Sequence, residues 1–276
     1  MNTADIKPVI SVAMGICYRY VGLDKLIRSI NSILGQTYTD FELLICENGS
    51  TDPAREYLKE RAEEDHRIRL INGTGADTLA AKLNRCISAA RGDWIARMDD
   101  DDYSEPTRFE KQLEYMKNEP GIDFAGCNIE QIQNGTSAGM IIFPQFPEVR
   151  DFVFSQPFSH PAMLFSKGAL EAVGGYSEDR RFSGCEDYDL LLRLYERGYK
   201  GSNLQMVLLR YTIPDYGKRN RTFRMRINEV YTRMVRFKSS GLLPRYFVYV
   251  IKPLIVWLIP VKTLQKLKEK RLNARR

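Results

Sequence analysis

Four consecutive aspartates, Asp99 to Asp102, carry the densest charge in this 276-residue chain, and they follow the apolar run Trp94 to Met98. Adjacent carboxylates repel one another, so the arrangement is costly unless a cation or abundant water compensates. A hard divalent ion such as Mg²⁺ or Mn²⁺ is bound by one or two carboxylates, with ligand phosphates and water completing its octahedron. In an extended segment Asp99 and Asp101 face one way and Asp100 and Asp102 the other, so a D-x-D pair can share one site. A solvated acidic turn explains a bare acidic run equally well. A place at the end of a strand favours the site.

Two further segments combine polar chemistry with a turn. Glu47-Asn48-Gly49-Ser50-Thr51-Asp52 runs from an apolar strand through a tight turn into a helix, with Ser50 or Thr51 as its N-cap. Gly174-Gly175-Tyr176 precedes Glu186-Asp187-Tyr188-Asp189, which opens another helix. Acidic residues in a first helical turn commonly answer the helix dipole, which suffices for Glu186 and Asp189. One member of the run could instead be a general base, and spacing alone does not choose Asp187. His160, beside Pro161, reads more readily as a hydrogen-bonded structural residue than as a site residue.

The elements that must position these groups alternate in period. Val9 to Met14 and Phe41 to Cys46 are short apolar runs that predict buried strands, and Leu23 to Leu34 repeats apolar residues at helical spacing. A third run, Ile68 to Ile71, ends at the turn signal Asn72-Gly73, and a helix is expected through Ala80, Leu83, Ile87 and Ala90. Asp93 to Met98 makes a fourth strand. The alternation predicts an α/β, mostly parallel, Rossmann-like sheet flanked by helices, with ligands at the carboxyl ends of the strands. Further helices are expected from Pro106 to about Asn118 and from Tyr188 to Gly198, with a strand from Ile122 to Asn128. Asn134 to Pro161 reads as loops bordering an open site.

Four blocks together resemble glycosyltransferase family 2: PVISVAMGICYRY, SINSILGQTYTDFELLICENGSTD, LNRCISAARGDWIARMDDDDYSEPTRFEKQ and HPAMLFSKGALEAVGGYSEDRRFSGCEDYDLLLRL. The resemblance spans roughly residues 8 to 198 and implies a GT-A fold that inverts the anomeric centre. It implies a nucleotide-sugar donor, a UDP-sugar by preference, and Mn²⁺ or Mg²⁺. By the same resemblance Glu47 contacts the uracil or ribose and Asp99 the ribose. Ala13, Tyr18, Lys82 and Asp100 complete the donor-binding set. Asp101, last of the D-x-D, ligates the metal, and Asp102 supports the metal shell or the donor sugar. Asp187 is the catalytic base, with Glu186 and His160 as acceptor-side or supporting residues. Glu47 stands where the family more often has aspartate, and Asp100 where it has a small residue.

Charge is unevenly spread. Residues 217 to 276 hold 17 Lys and Arg against Glu229 and Glu269, leaving 24 basic and 33 acidic residues in the rest. An acidic body with a basic tail predicts an anionic partner for the tail. The run from Leu242 to Val261 is apolar and aromatic but interrupted by Arg245, Lys252 and three prolines, which suits a surface-lying attachment better than a spanning helix. Lys262, Lys266, Lys268, Lys270, Arg271, Arg275 and Arg276 then make a patch for anionic headgroups. The plainer alternative is that these apolar residues pack against the body. Nucleic acid is not expected, because the acidic body repels phosphates and no nucleic-acid motif occurs.

The expected division is a catalytic domain over 1–215, with a nucleotide-binding half to about 102 and an acceptor-binding half from 103, and a C-terminal helical, membrane-associating extension over 216–276. Five scattered cysteines without a CxxC pair fit a reducing compartment. No signal-peptide pattern opens the chain. The expected place is the inner face of the cell membrane, and the expected acceptor a lipid-linked glycan of a surface polysaccharide such as O-antigen or capsule. A sugar nucleotidyltransferase and a non-catalytic, metal-dependent carbohydrate-binding protein are the alternatives.

Overall fold

The computed structural model describes residues 9–213, 222–259 and 263. Its first half is the expected alternation. Strands β1 (Ile10–Ile16), β2 (Phe41–Glu47), β3 (Ile68–Asn72) and β4 (Trp94–Arg97) are joined by helices α1 (Asp24–Leu34), α2 (Asp52–Glu64) and α3 (Leu79–Ala89). They pair in parallel in the order β3-β2-β1-β4. Side-chain alternation explains the double covering. Ile10, Val12, Met14 and Ile16 of β1 join one apolar cluster with α1 and α2, while Ala13 joins another with Leu44, Cys46 and α3.

The second half is mixed. β5 (Tyr103–Ser104) leads into α4 (Arg108–Asn118), followed by β6 (Phe124–Gln133), β7 (Thr136–Ile141), β8 (Leu164–Ser166), α5 (Lys167–Ala172), α6 (Glu186–Glu196) and β9 (Gly201–Thr212). β8 runs antiparallel between β4 and β6, and β9 is parallel to β6 and antiparallel to β5. The loop expected after Asn134 is in part a hairpin. Asn134 and Gly135 both take positive φ, 49° and 78°, which is the geometry of a two-residue hairpin turn between β6 and β7. The strand β9 was not foreseen, and it returns the chain to the four aspartates.

Helices α7 (Phe223–Ser239) and α8 (Phe247–Leu258) follow. α7 is not a detached extension. Arg236 donates to Asp189 at 2.7 Å, Asn228 donates to the Arg180 and Ser183 carbonyls, and Phe237 is buried in the body's core. Of the run Leu242 to Val261, Val250 is buried with the body's core and Leu242, Leu243, Tyr246 and Tyr249 pack against it, while α8 lies on α7 with Lys252 Nζ donating to the Phe154 carbonyl at 3.1 Å. α8 still leaves Val248 66 % and Leu258 80 % exposed. No described helix is long and apolar enough to cross a membrane. The basic run from Lys262 onward lies outside the described residues, apart from Thr263.

Candidate active site

The carboxyl ends of β1, β2 and β4 converge on one edge, as a parallel sheet requires. The turns after β1 and β2 are laced together. Tyr18 N–H donates to Ser50 Oγ at 2.8 Å, Thr51 N–H donates to the Tyr18 carbonyl at 3.0 Å, and Arg19 Nε donates to the Gly49 carbonyl at 3.0 Å. Ser50 therefore ties loop to loop instead of capping α2, and the N-cap Thr51 makes no side-chain cap. Glu47 Oε1 accepts the Ser50 N–H at 2.7 Å, so one carboxylate oxygen shapes the turn at the strand end. Gly73 crosses this end so closely that a Cβ there would meet the Glu47 carbonyl oxygen at 1.8 Å. Glu47 and Asn48 line a cavity of about 370 Å³ beside α2 and β3.

Three of the expected donor-binding residues do other work. Ala13 lies inside β1 with its side chain in the core, not at the strand's open end. The Tyr18 ring is also buried, and its backbone groups are spent on Ser50 and Thr51. Lys82 is buried, with Nζ donating to the carbonyls of Ile16 and Asn48 at 2.7 and 2.8 Å. It clamps α3 to the ends of β1 and β2, and reaches a ligand only through the loops it fixes.

The aspartate run is not extended. Asp100 and Asp101 form a turn between β4 and β5, which removes the alternation expected of the D-x-D pair. Each member has its own environment. Asp99 pairs at 2.5 Å with Arg97, a guanidinium buried at the end of β4. Asp101 accepts the Tyr20 hydroxyl at 3.2 Å, and its carbonyl accepts Arg28 Nη2 at 2.7 Å. Asp102 is fully buried, with Oδ1 accepting the Thr212 N–H at 2.7 Å from the end of β9. Burial, and then repulsion from Asp99 and Asp101, pushes Asp100 up to about 7. Burial and Asp99 also raise Asp101, and burial with Asp99 and Asp101 raises Asp102 well above the carboxylate range.

This donor set fits a hard divalent cation. Asp102 Oδ2 is a buried oxygen without a hydrogen-bond partner, and the crowded carboxylates share only partial compensation from Arg97 and Lys25. Among the described residues no three His, Cys, Asp or Glu side chains form a ready-made cage. An ion here would thus need oxygen ligands from elsewhere, as Mg²⁺-type sites take them from phosphates and water.

Asp187 sits in the first turn of α6, half-buried. Its Oδ2 accepts Gln156 Nε2 at 2.9 Å and its Oδ1 accepts the Tyr188 N–H at 2.8 Å. Its neighbours in the acidic run are otherwise engaged. Asp189 is buried between Arg193 and Arg236, while Glu186 accepts the Gly184 N–H and is raised by burial and by Asp187. The carboxylate of Asp187 lines a cavity of about 320 Å³ that also includes residues of α7 and α8.

The two acidic regions act on the same tyrosines. Tyr211, near the end of β9, is raised first by burial and then by Asp99, Asp102, Asp101 and Asp187, so it lies within electrostatic reach of both. Tyr176 is raised by burial and feels Asp187, Glu186 and Asp99, with Arg97 opposing them. Its hydroxyl is 2.7 Å from His160 Nε2. Burial and then Arg97 hold His160 well below the usual imidazole value.

The sequence reading missed Arg97, Gln156 and Tyr211. A lone arginine inside the apolar stretch Trp94 to Met98 was a usable signal, because a buried guanidinium demands a partner. Gln156 and Tyr211 carried none, since their roles depend on where the 150s loop and β9 return.

The glycosyl transferase family 2 model matches residues 13–172. EpsE of Bacillus subtilis (strain 168), whose name calls it a glycosyltransferase, is 35% identical over 268 residues, covering 96% of this chain and 95% of its own. The O-antigen biosynthesis glycosyltransferase WbnJ of Escherichia coli is 35% identical over 215 residues, covering 75% of this chain and 81% of its own. Among solved structures, S. aureus TarS 1-349 in complex with UDP-GlcNAc superposes with a TM-score of 0.65 at 15% identity, covering 87% of this chain and 72% of that one. The mannosyltransferase PcManGT from Pyrobaculum calidifontis, in complex with GDP-Man and Mn²⁺, gives 0.60 at 17% identity, covering 90% and 69%. The chain belongs to glycosyl transferase family 2 and has the GT-A fold.

Proposed function

We propose that this protein is an inverting, metal-dependent glycosyltransferase that moves a sugar from a UDP-sugar to a hydroxyl of a lipid-linked glycan in bacterial surface-polysaccharide assembly. The observation that supports the reading is Tyr211, near the end of β9, which burial raises first and which Asp99, Asp102, Asp101 and Asp187 raise further, so the aspartate turn and Asp187 act on one side chain. Glu47 and Asp99 bind the uridine, and Asp101, with Asp102 beside it, holds Mn²⁺ or Mg²⁺. The ion, when bound, neutralises the diphosphate that departs. Asp187 takes the proton of the acceptor hydroxyl, whose oxygen forms the new bond to the anomeric carbon as the bond to the diphosphate breaks on the opposite face. Gln156 holds the Asp187 carboxylate in place for that transfer.

The surface polysaccharide follows from the similarity to WbnJ, whose name places it in O-antigen biosynthesis. Attachment to the inner face of the membrane follows from the exposed apolar side chains of α8 and from the basic residues beyond it in the sequence. The test is radiolabelled transfer from a panel of UDP-sugars to membrane lipid extract with Mn²⁺. Asp187→Asn is expected to abolish transfer while donor binding persists, and product NMR is expected to show the anomeric configuration inverted. Undiminished transfer by Asp187→Asn removes the base assignment, and retained configuration removes the inverting one.

A further inference from the structure

Gln156, which donates to the Asp187 carboxylate, lies outside any helix or strand, just past the 3₁₀ turn Val149–Val153. Carbonyls at the end of such a turn have no partner further along it and must find one elsewhere. Here three consecutive carbonyls are met by side chains from three successive helices. Tyr188 of α6 donates its hydroxyl to the Phe152 carbonyl at 2.6 Å, Arg233 of α7 donates Nη1 to the Val153 carbonyl at 3.1 Å, and Lys252 of α8 donates Nζ to the Phe154 carbonyl at 3.1 Å. The Phe154 ring also meets Tyr249 of α8 edge-on, with centroids 5.2 Å apart. On the other side of Gln156, Asn203 of β9 donates to the Pro157 carbonyl at 3.0 Å.

The bonds differ in what they contribute. Val153 and Arg233 are buried, so their bond satisfies groups that water does not reach. The bond from Lys252 lies at the surface, where water serves a carbonyl about as well as a lysine does, so its contribution to stability is small. What it fixes is position. Two residues of chain span at most about 7 Å, so a displacement of Phe154 passes to Gln156 with little slack to absorb it. A misplacement of about 1 Å near the chemistry can cost about 100-fold in rate. We infer that Arg233 and Lys252 are positioning residues of the transfer reaction: by holding the Val153 and Phe154 carbonyls they fix the segment from which Gln156 reaches Asp187. The inference rests on the proposed role of Asp187 as the base. It gives α7 and α8, which lie beyond the residues the family model matches, a part in the chemistry of the body.

Lys252 is the better probe, because Arg233 also pairs with Glu229 and lies over the Tyr188 ring, so its loss would disturb packing. The test is steady-state transfer by the full chain to membrane lipid extract, with Mn²⁺ and the UDP-sugar active in the panel. Lys252→Met, Lys252→Arg, Gln156→Leu and the double variant of Lys252→Met with Gln156→Leu are compared. Lys252→Met is expected to lower kcat about three- to tenfold, with the donor KM, the calorimetric affinity for UDP with Mn²⁺ and the melting temperature unchanged. Lys252→Arg, which restores a cationic donor, is expected to keep about half of kcat or more. Because the lysine acts through Gln156, the double variant is expected to match Gln156→Leu within about twofold. Loss factors that multiply in the double variant overturn the inference, as does an arginine variant as slow as the methionine one. A change confined to the acceptor KM makes Lys252 a membrane or acceptor contact and overturns it too. Asp187→Asn separates the two claims. If that variant is inactive while Lys252→Met turns over at the unmodified rate, the inference falls and the base stands; if it transfers fully, both fall.

Discussion

Replacing Arg97 with methionine isolates the ion pair on which the aspartate turn rests. Arg97 is 2 % exposed and Asp99 31 %, so the pair is neither a surface bridge nor a fully sealed one. Breaking a sealed pair costs about 3–5 kcal/mol and a surface pair about 0–1 kcal/mol. Methionine preserves much of the apolar stem, and Asp99 keeps some water, which sets the expected loss at about 2–3 kcal/mol. For a chain of this size that is a fall in melting temperature of roughly 5–10 °C. The change also leaves four carboxylates without their buried cation, so Asp99→Asn in the same chain should return part of the loss. Urea unfolding of the two single variants and the double variant gives the coupling, expected at about 1.5 kcal/mol or more in favour of the native pair. Additivity within about 0.5 kcal/mol would refute the claim that Arg97 exists to hold Asp99.

Three more outcomes follow from named contacts. Glu42 is buried, and although burial alone would raise it, the Ser11 hydroxyl, the Arg91 N–H and Arg69 bring it below the ordinary glutamate value of 4.5. Its contribution is therefore complete above pH 4.5 and lost as pH falls through the lowered value, so Glu42→Gln should cost about 2–4 kcal/mol at pH 7, and that gap should shrink below pH 4.5 in urea titrations. Gly73→Ala drives a Cβ into the Glu47 carbonyl and should weaken UDP binding at least tenfold by calorimetry, with unchanged affinity counting against the role of that turn. Gln156→Leu removes one hydrogen bond to Asp187 and should lower kcat about tenfold with the donor KM unchanged, a charged hydrogen bond being worth about 1.5–3 kcal/mol. A change confined to KM would place Gln156 in donor binding instead.

The first half of the fold was legible because its signals are local. The runs at Val9, Phe41, Ile68 and Asp93 became β1 to β4 within a few residues, since strands buried on both faces need continuous apolar sequence. Beyond Asp102 legibility fell. The Asn134-Gly135 turn stood in the sequence, but the polar residues of β7 hid the strand that followed it. β9 has no regular alternation, because its register shifts twice against β6. Glu47, Asp99 to Asp102 and the acidic run Glu186 to Asp189 were visible as carboxylates at strand and helix ends, and the family resemblance alone singled out Asp187. Ala13, Tyr18 and Lys82 were assigned by motif alone, and the structure turns them inward because the edge of a sheet needs supports as well as ligands. The walls that α7 and α8 supply to the Asp187 cavity depend on long-range packing that no spacing encodes.

The most direct measurement is the affinity for UDP, with and without Mn²⁺, of the Asp101→Asn and Asp187→Asn variants beside the unmodified chain. The account predicts that Mn²⁺ tightens UDP binding at least tenfold in the unmodified chain and in Asp187→Asn, and that this increment disappears in Asp101→Asn. An increment that survives in Asp101→Asn, or vanishes in Asp187→Asn, contradicts the division of one cleft into a diphosphate side and a proton-accepting side.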